Sequence, residues 1–81
     1  MDKKTLINNL DKIHTTELGL LRIKRNLGLC DENIIEYCKK VILNSNSEVI
    51  KCGKNYYCKF ENVVLTINSY SYTIITGKVI K

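Results

Sequence analysis

Residues 54–81 read KNYYCKFENVVLTINSYSYTIITGKVIK, and the spacing of their apolar side chains decides the fold. Val63, Leu65 and Ile67 fall on one side of an extended chain, and Val64, Thr66 and Asn68 on the other. A period of two is the mark of a strand with one buried face. Tyr56, Cys58 and Phe60 share a side in the same way, opposite Tyr57 and Lys59. The sequence predicts strands over 49–52, 55–60, 63–68 and from Tyr72 to about Thr76, with Gly77 bulging or ending the last and Val79-Ile80 extending it. Gly53-Lys54, Glu61-Asn62 and Ser69-Tyr70-Ser71 supply the turns. The alternation is imperfect, because Val64 and Ile75 interrupt the polar side.

Upstream the period changes to that of a helix. Asp2 is placed to cap a first helix with a stripe at Leu6, Ile7, Leu10 and Ile13, broken at His14-Thr15-Thr16. Threonine at that break is a good N-cap, and Glu17 suits the positive end of a second helix running to Leu27. Gly28 is placed to end it in the left-handed conformation. Asp31 and Glu32 open a third helix, whose stripe is Ile34, Ile35, Cys38, Val41 and Ile42, with Lys39 and Lys40 near its end. Asn44-Ser45-Asn46-Ser47 is a loop by composition. The expected fold is α+β, a single domain over 1–81: a helical part over 1–46 and an antiparallel sheet over 47–81. Two to three N-terminal helices pack on one face of a three- to four-stranded antiparallel β-meander, leaving the other face to solvent.

A chain of 81 residues has a small core and no room for a large enclosed cofactor pocket. No apolar run suffices to span a bilayer, and Leu6-Ile7 is followed at once by Asn8-Asn9, so neither a membrane span nor a signal peptide is expected and the compartment is read as cytoplasmic. The four cysteines, at 30, 38, 52 and 58, form no Cys-x-x-Cys pair and the single histidine is far from them. They read as reduced packing residues, with no metal, cofactor or disulfide framework. The net charge of +5 favours anionic partners, nucleic acid first.

Few groups remain for chemistry. His14 is the one imidazole, the side-chain type suited to general acid–base work. Arg22, Arg25 and Asn26 share a helix face that starts beside it, and the plain alternative is a solvated basic face. Gly19 inside that helix costs about 1 kcal/mol relative to alanine, which points to close packing or to a ligand near the backbone. Lys54 sits at a turn beside Tyr56 and Tyr57, where an ammonium group holds a phosphate while a base stacks on a ring; tyrosine is also a common strand former. Asn68, Ser71, Thr73 and Thr76 offer hydroxyl and amide groups near strand ends. No phosphate loop, paired carboxylates or Cys-His arrangement is present.

The strings IHTTELGLLRIKRNLGL, GKNYY and SYTIIT resemble a family of small bacterial proteins classed as a domain of unknown function. More distantly, helices followed by a meander ending in Tyr-Thr-Ile-Ile-Thr resemble the barnase, EndoU and colicin-type ribonucleases, whose last strand often reads Thr or Ile, two β-branched residues, Thr-Ala and then His or Tyr. Ile74-Ile75-Thr76 matches that core, while Gly77 and Lys78 replace the alanine and the final histidine or tyrosine. That resemblance implies metal-free RNA cleavage by 2′-OH attack, with His14 moving the proton, Arg22 and Lys54 offsetting phosphorane charge, and Thr73 and Thr76 positioning phosphate oxygens.

The function expected first is a non-catalytic module that binds RNA, another polyanion or a protein. The phosphate-binding set is Arg25, Lys54, Tyr56, Asn68, Ser71, Thr73 and Thr76. The alternative is the ribonuclease-like domain with His14 and Arg22 as catalytic residues. A third reading is a structural or regulatory homodimer paired through edge strands.

Overall fold

The structure, a computed structural model, describes residues 2–28 and 34–80. The readings made for Cys30, Asp31 and Glu32, and the capping role of the Asp2 side chain, lie outside what it describes. Among the described residues the helices are α1 (Asp2–Asn8), α2 (Glu17–Leu27) and α3 (Ile34–Leu43), with a 3-10 turn at Leu10–Lys12. The strands are β1 (His14–Thr15), β2 (Glu48–Cys52), β3 (Asn55–Phe60), β4 (Val63–Asn68) and β5 (Thr73–Val79). They form one sheet in the order β1-β5-β4-β3-β2.

The architecture is α+β, and β2 to β5 are the expected antiparallel meander. Three details differ from the sequence reading, one being that Gly77 neither bulges nor ends the last strand but pairs with Leu65 inside it, the bulge falling at Ile75. The sheet has a fifth strand, β1, which pairs parallel to β5 through His14↔Thr73 and Thr15↔Ile74, so it is mixed. The first helix stops at Asn8 and does not run on to Ile13. Asn9 explains the stop: its side-chain amide donates to the Thr5 carbonyl at 2.9 Å, a local bond that competes with helix continuation. The 3-10 turn that follows still delivers Ile13 to the core, at 5% exposure.

The capping of α2 follows the sequence. Thr16 Oγ1 accepts from the Gly19 amide at 3.0 Å, and Gly28 ends the helix at φ 67. At the end of α3, Lys3 Nζ donates to the carbonyls of Asn44 and Ser47 at 2.6 and 2.8 Å, tying α1 to the loop where the helix dipole favours a cation.

Helices and sheet meet over Ile23 of α2, Cys38, Val41 and Ile42 of α3, and Tyr56, Cys58, Leu65, Ile67 and Ile74 of the sheet, all buried. Each large aliphatic there contributes about 1.5–3 kcal/mol by leaving water. Gly77 lets α2 lie close to β5: a Cβ on it would sit 2.9 Å from Leu65 Cδ2 and 3.6 Å from Ile23 Cγ2. A bulge explains the broken alternation. Thr66 pairs with Thr76 but Ile67 pairs with Ile74, leaving Ile75 as an extra residue in β5. Ile74 and Gly77 therefore both face the helices. Among the described residues no helix lies on the other face of the sheet, where Ile50, Tyr57, Lys59 and Lys78 are exposed. Among the described residues, no helix is long and apolar enough to cross a membrane.

Candidate functional site

The strand directions gather several polar groups at one end of the sheet. β1 and β5 begin there, β2 and β4 end there, and the Gly53-Lys54 turn and the 69–72 turn close it. His14 enters this end at the start of β1, its amide donating to the Tyr72 carbonyl at 3.2 Å. Its Nδ1 lies 2.8 Å from the Lys12 carbonyl oxygen. A carbonyl only accepts, so Nδ1 carries a proton. Nε2 lies 3.0 Å from Thr73 Oγ1, and that hydroxyl lies 2.8 Å from Ser71 Oγ. Ser71 Oγ in turn lies 3.2 Å from Asn68 Oδ1, which also accepts from the amides of Tyr70 and Ser71 at 2.9 Å each.

This chain has two proton arrangements. With a neutral imidazole, Thr73 donates to Nε2 and the single Ser71 proton serves either Thr73 or Asn68. With a doubly protonated imidazole, Nε2 donates to Thr73, Thr73 to Ser71 and Ser71 to Asn68, and every bond is made. A positive imidazole is thus accommodated through three neutral polar groups.

The backbone at this point is strained. Tyr72 holds φ 58, a left-handed conformation that is an outlier for an aromatic residue. Its ring is pinned between the Tyr56 ring, at 6.5 Å between centroids, and Lys12 Nζ, 5.8 Å from the ring centre. The reversed φ lets the chain leave the turn with Thr73 beside His14. Strain of this kind costs about 1–3 kcal/mol and persists where surrounding contacts fix it.

A shallow cleft of about 200 Å³ runs beside the cluster between α2 and β5, lined by Thr16, Gly19, Arg22, Thr73 and Ile75 among others. Gly19 explains the close approach of α2. A Cβ there would collide with Thr15 Oγ1 and lie 3.3 Å from the Ile74 carbonyl oxygen. The Thr15 hydroxyl occupies that space, donating to the Ile74 carbonyl at 2.8 Å and locking β1 onto β5.

Of the site residues read from sequence, His14, Asn68, Ser71 and Thr73 come together, and Arg22 joins them through the cleft it shares with Thr73. Lys54 lies at the same end, its carbonyl accepting from the Ser69 amide and hydroxyl at 2.8 Å each. Three residues do not fit the expected placement. Tyr56 is buried, 4% exposed, so its ring is not offered to a base; Tyr57 is the exposed neighbour. Its shared side with Cys58 and Phe60 was the signal for burial. Thr76 pairs with Thr66 on the helix-free face, beyond the Ile75 bulge from Thr73, and is not a member of the His14–Thr73–Ser71–Asn68 chain. Arg25 lies in the last turn of α2, next in chain to Asn26, which donates to the Gly77 carbonyl towards the other end of β5. Lys12 was missed, having no periodic signal of its own, yet it orients His14 and carries a charge onto Tyr72. Asp11 and Glu17 are the acidic chain neighbours of this end, so the local positive excess of Lys12, Arg22 and Lys54 is modest.

The cysteines lie elsewhere. Cys38 and Cys58 are buried and Cys52 is exposed. Burial, with Cys58 nearby, pushes the Cys38 thiol up to about 12. Burial also raises Cys58, against lowering by the Ser47 hydrogen bond and the Lys3 charge. Both thiols are therefore protonated packing groups. Among the described residues no three His, Cys, Asp or Glu side chains are grouped to hold a metal ion.

Residues 7–78 match the model of a family described as a protein of unknown function, DUF3781. None of the curated proteins and none of the solved structures matches the chain. Since the match covers most of its length, the chain belongs to the DUF3781 family.

Proposed function

We propose that this DUF3781 member is a binding module for a polyanion, RNA before other anions, and that the ligand meets the sheet end around His14. The observation that carries the reading is the hydrogen-bonded chain His14–Thr73–Ser71–Asn68, set at an end that also bears Lys12 and Lys54 and opens into the Arg22 cleft. The hydroxyl, amide and imidazole groups suit phosphate and ribose oxygens, and the cations supply the electrostatic part of affinity. Three phosphate-neutralising cations give a slope of log K against log salt of about −2 for a single strand. Affinity then falls about 16-fold between about 50 and about 200 mM salt. Fluorescence anisotropy with a labelled single-stranded RNA tests this. Lys12→Ala and Lys54→Ala are each expected to shallow the slope by about 0.7. Salt-independent binding, or none at low salt, removes the reading.

One observation favours a second reading, metal-free cleavage of RNA. Nδ1–H on the Lys12 carbonyl leaves the Nε2 lone pair of the neutral ring aimed at a hydroxyl. A ribose 2′-OH taking the place of the Thr73 hydroxyl would hand its proton to Nε2 as its oxygen attacks phosphorus. The P–O5′ bond breaks to leave a 2′,3′-cyclic phosphate, and the departing 5′-oxygen takes up a proton from water or from the imidazolium. Arg22 and Lys54 would offset the charge that develops. Incubation of RNA with the protein in excess chelator separates the readings. Cleavage lost in His14→Ala and Arg22→Ala supports catalysis, and intact RNA that stays bound supports the binding module alone.

A further inference from the structure

The helix-free face of the sheet extends well beyond its His14 end, where His14, Thr73 and Asn68 project from the same face. In-register partners share a face, so Glu48, Lys59, Val64 and Lys78 form one row across β2, β3, β4 and β5, and Ile50, Tyr57, Thr66 and Thr76 form the next. The two rows mix apolar and charged groups. Ile50 is 60% exposed and Tyr57 38%. Exposed aliphatic and aromatic side chains grouped on one flat face mark an interaction surface.

We infer that this face is covered by a second copy of the chain, the two sheets packing face to face about a two-fold axis parallel to the strands. The charge pattern selects the occupant. The first row has its carboxylate at the β2 end and an ammonium at the β5 end. An axis parallel to the strands reverses the row, so Glu48 of one copy meets Lys78 of the other, and the Lys59 stem lies over Val64. In the second row Ile50 meets Thr76 and Tyr57 meets Thr66. No like charges oppose each other. A two-fold axis across the strands instead stacks each strand on its own copy and leaves Glu48 without Lys78. Aligned stacking is also the ordinary packing of two twisted sheets.

Size sets the strength. Four strands spaced by about 4.8 Å and about 20 Å long offer about 400 Å² per copy, or about 800 Å² in all. That is below the roughly 1,200 Å² of a standard stable interface, so the dimer is weak and concentration-dependent. The dimer stands without the polyanion reading, but it bears on that reading. The axis preserves strand direction, so both His14 clusters and both Lys54 turns lie at the same end, and a single RNA strand reaching both gains avidity.

Sedimentation velocity without nucleic acid, from about 10 µM to about 1 mM, covers the range that a weak interface populates. The wild-type chain is expected to shift from monomer to dimer across it. Glu48→Lys and Lys78→Glu each hold the chain monomeric, and the double variant restores the dimer; Ile50→Asp abolishes it in a chain whose circular dichroism is unchanged. A monomer throughout overturns the inference, as does a dimer indifferent to Lys78→Glu, the mark of pairing through the β2 edge. A face that stays monomeric and instead loses RNA affinity on Tyr57→Ala assigns the surface to nucleic acid and overturns it equally.

Discussion

Gly19→Ala sets helix propensity against packing, and the two give opposite signs. Alanine is favoured over glycine by about 1 kcal/mol in a helix, and Gly19 has no positive φ to make alanine strained. Propensity alone therefore makes the variant more stable. The structure reverses this. The new Cβ meets Thr15 Oγ1, and the Ile74 carbonyl oxygen behind it, 3.3 Å away, belongs to the backbone of β5 where it pairs with the edge strand β1. Thr15 must rotate, losing its 2.8 Å bond to Ile74, worth about 1 kcal/mol. Pushing α2 off β5 costs a further 1–3 kcal/mol, roughly. The net expectation is a loss of about 1–3 kcal/mol, at about 4–8 °C of Tm per kcal/mol in a domain of this size. β1 is displaced with Thr15, so His14 draws away from Thr73 and RNA affinity falls as well. Urea unfolding of wild type, Gly19→Ala, Thr15→Ala and the double variant measures the coupling. Removing the Thr15 hydroxyl vacates the contested space, so the double variant is expected to be more stable than the sum of the singles by at least about 1 kcal/mol. A Gly19→Ala protein as stable as wild type, or additive behaviour in the cycle, refutes the reasoning.

Three further outcomes follow from the same structure. Gly77→Ala places a Cβ 2.9 Å from the buried Leu65 Cδ2 and is expected to cost about 1–3 kcal/mol in the same unfolding assay. Glu61 holds φ 54 at the β3–β4 turn, so Glu61→Gly is expected to stabilise by about 0.5–1 kcal/mol, and a lower denaturation midpoint would contradict the strain argument. Stability is expected to fall at alkaline pH. Above pH 9.0, the ordinary thiol value, the unfolded chain releases protons that Cys38 keeps until about 12. The folded state then binds more protons, so stability drops by up to about 1.4 kcal/mol per pH unit for that thiol, and Cys38→Ala should flatten the decline.

The meander was legible because each of its strands carries its own period of two and its own turn residues. Asn55–Phe60 and Val63–Asn68 coincide with the sequence reading to the residue. β1 was not legible. His14–Thr15 is two residues long, too short for any period, and its partner β5 lies 59 residues away. The consequence reached the site: the bond between His14 and Thr73 exists because of that pairing, so sequence could name both residues without showing that they touch. Tyr56 failed for another reason. Its neighbour Lys54 made it attractive as a phosphate-side ring, while the alternation with Cys58 already assigned it to the core. Physical position outweighed chemical type. Ile75, which looked like an apolar interruption of a polar face, is the bulge residue, and a bulge depends on pairing across strands that no local window contains.

The central claim is that the polyanion meets the sheet end around His14. A titration of the 15N-labelled protein with single-stranded RNA, followed by amide chemical shifts at low salt, tests it most directly. The expected result is perturbation concentrated at residues 12–16, 53–54 and 68–73, together with the Arg22 region of the cleft, and reversed by added salt. Perturbation confined to the helix-free rows of β2 to β5, or none at all, would contradict it.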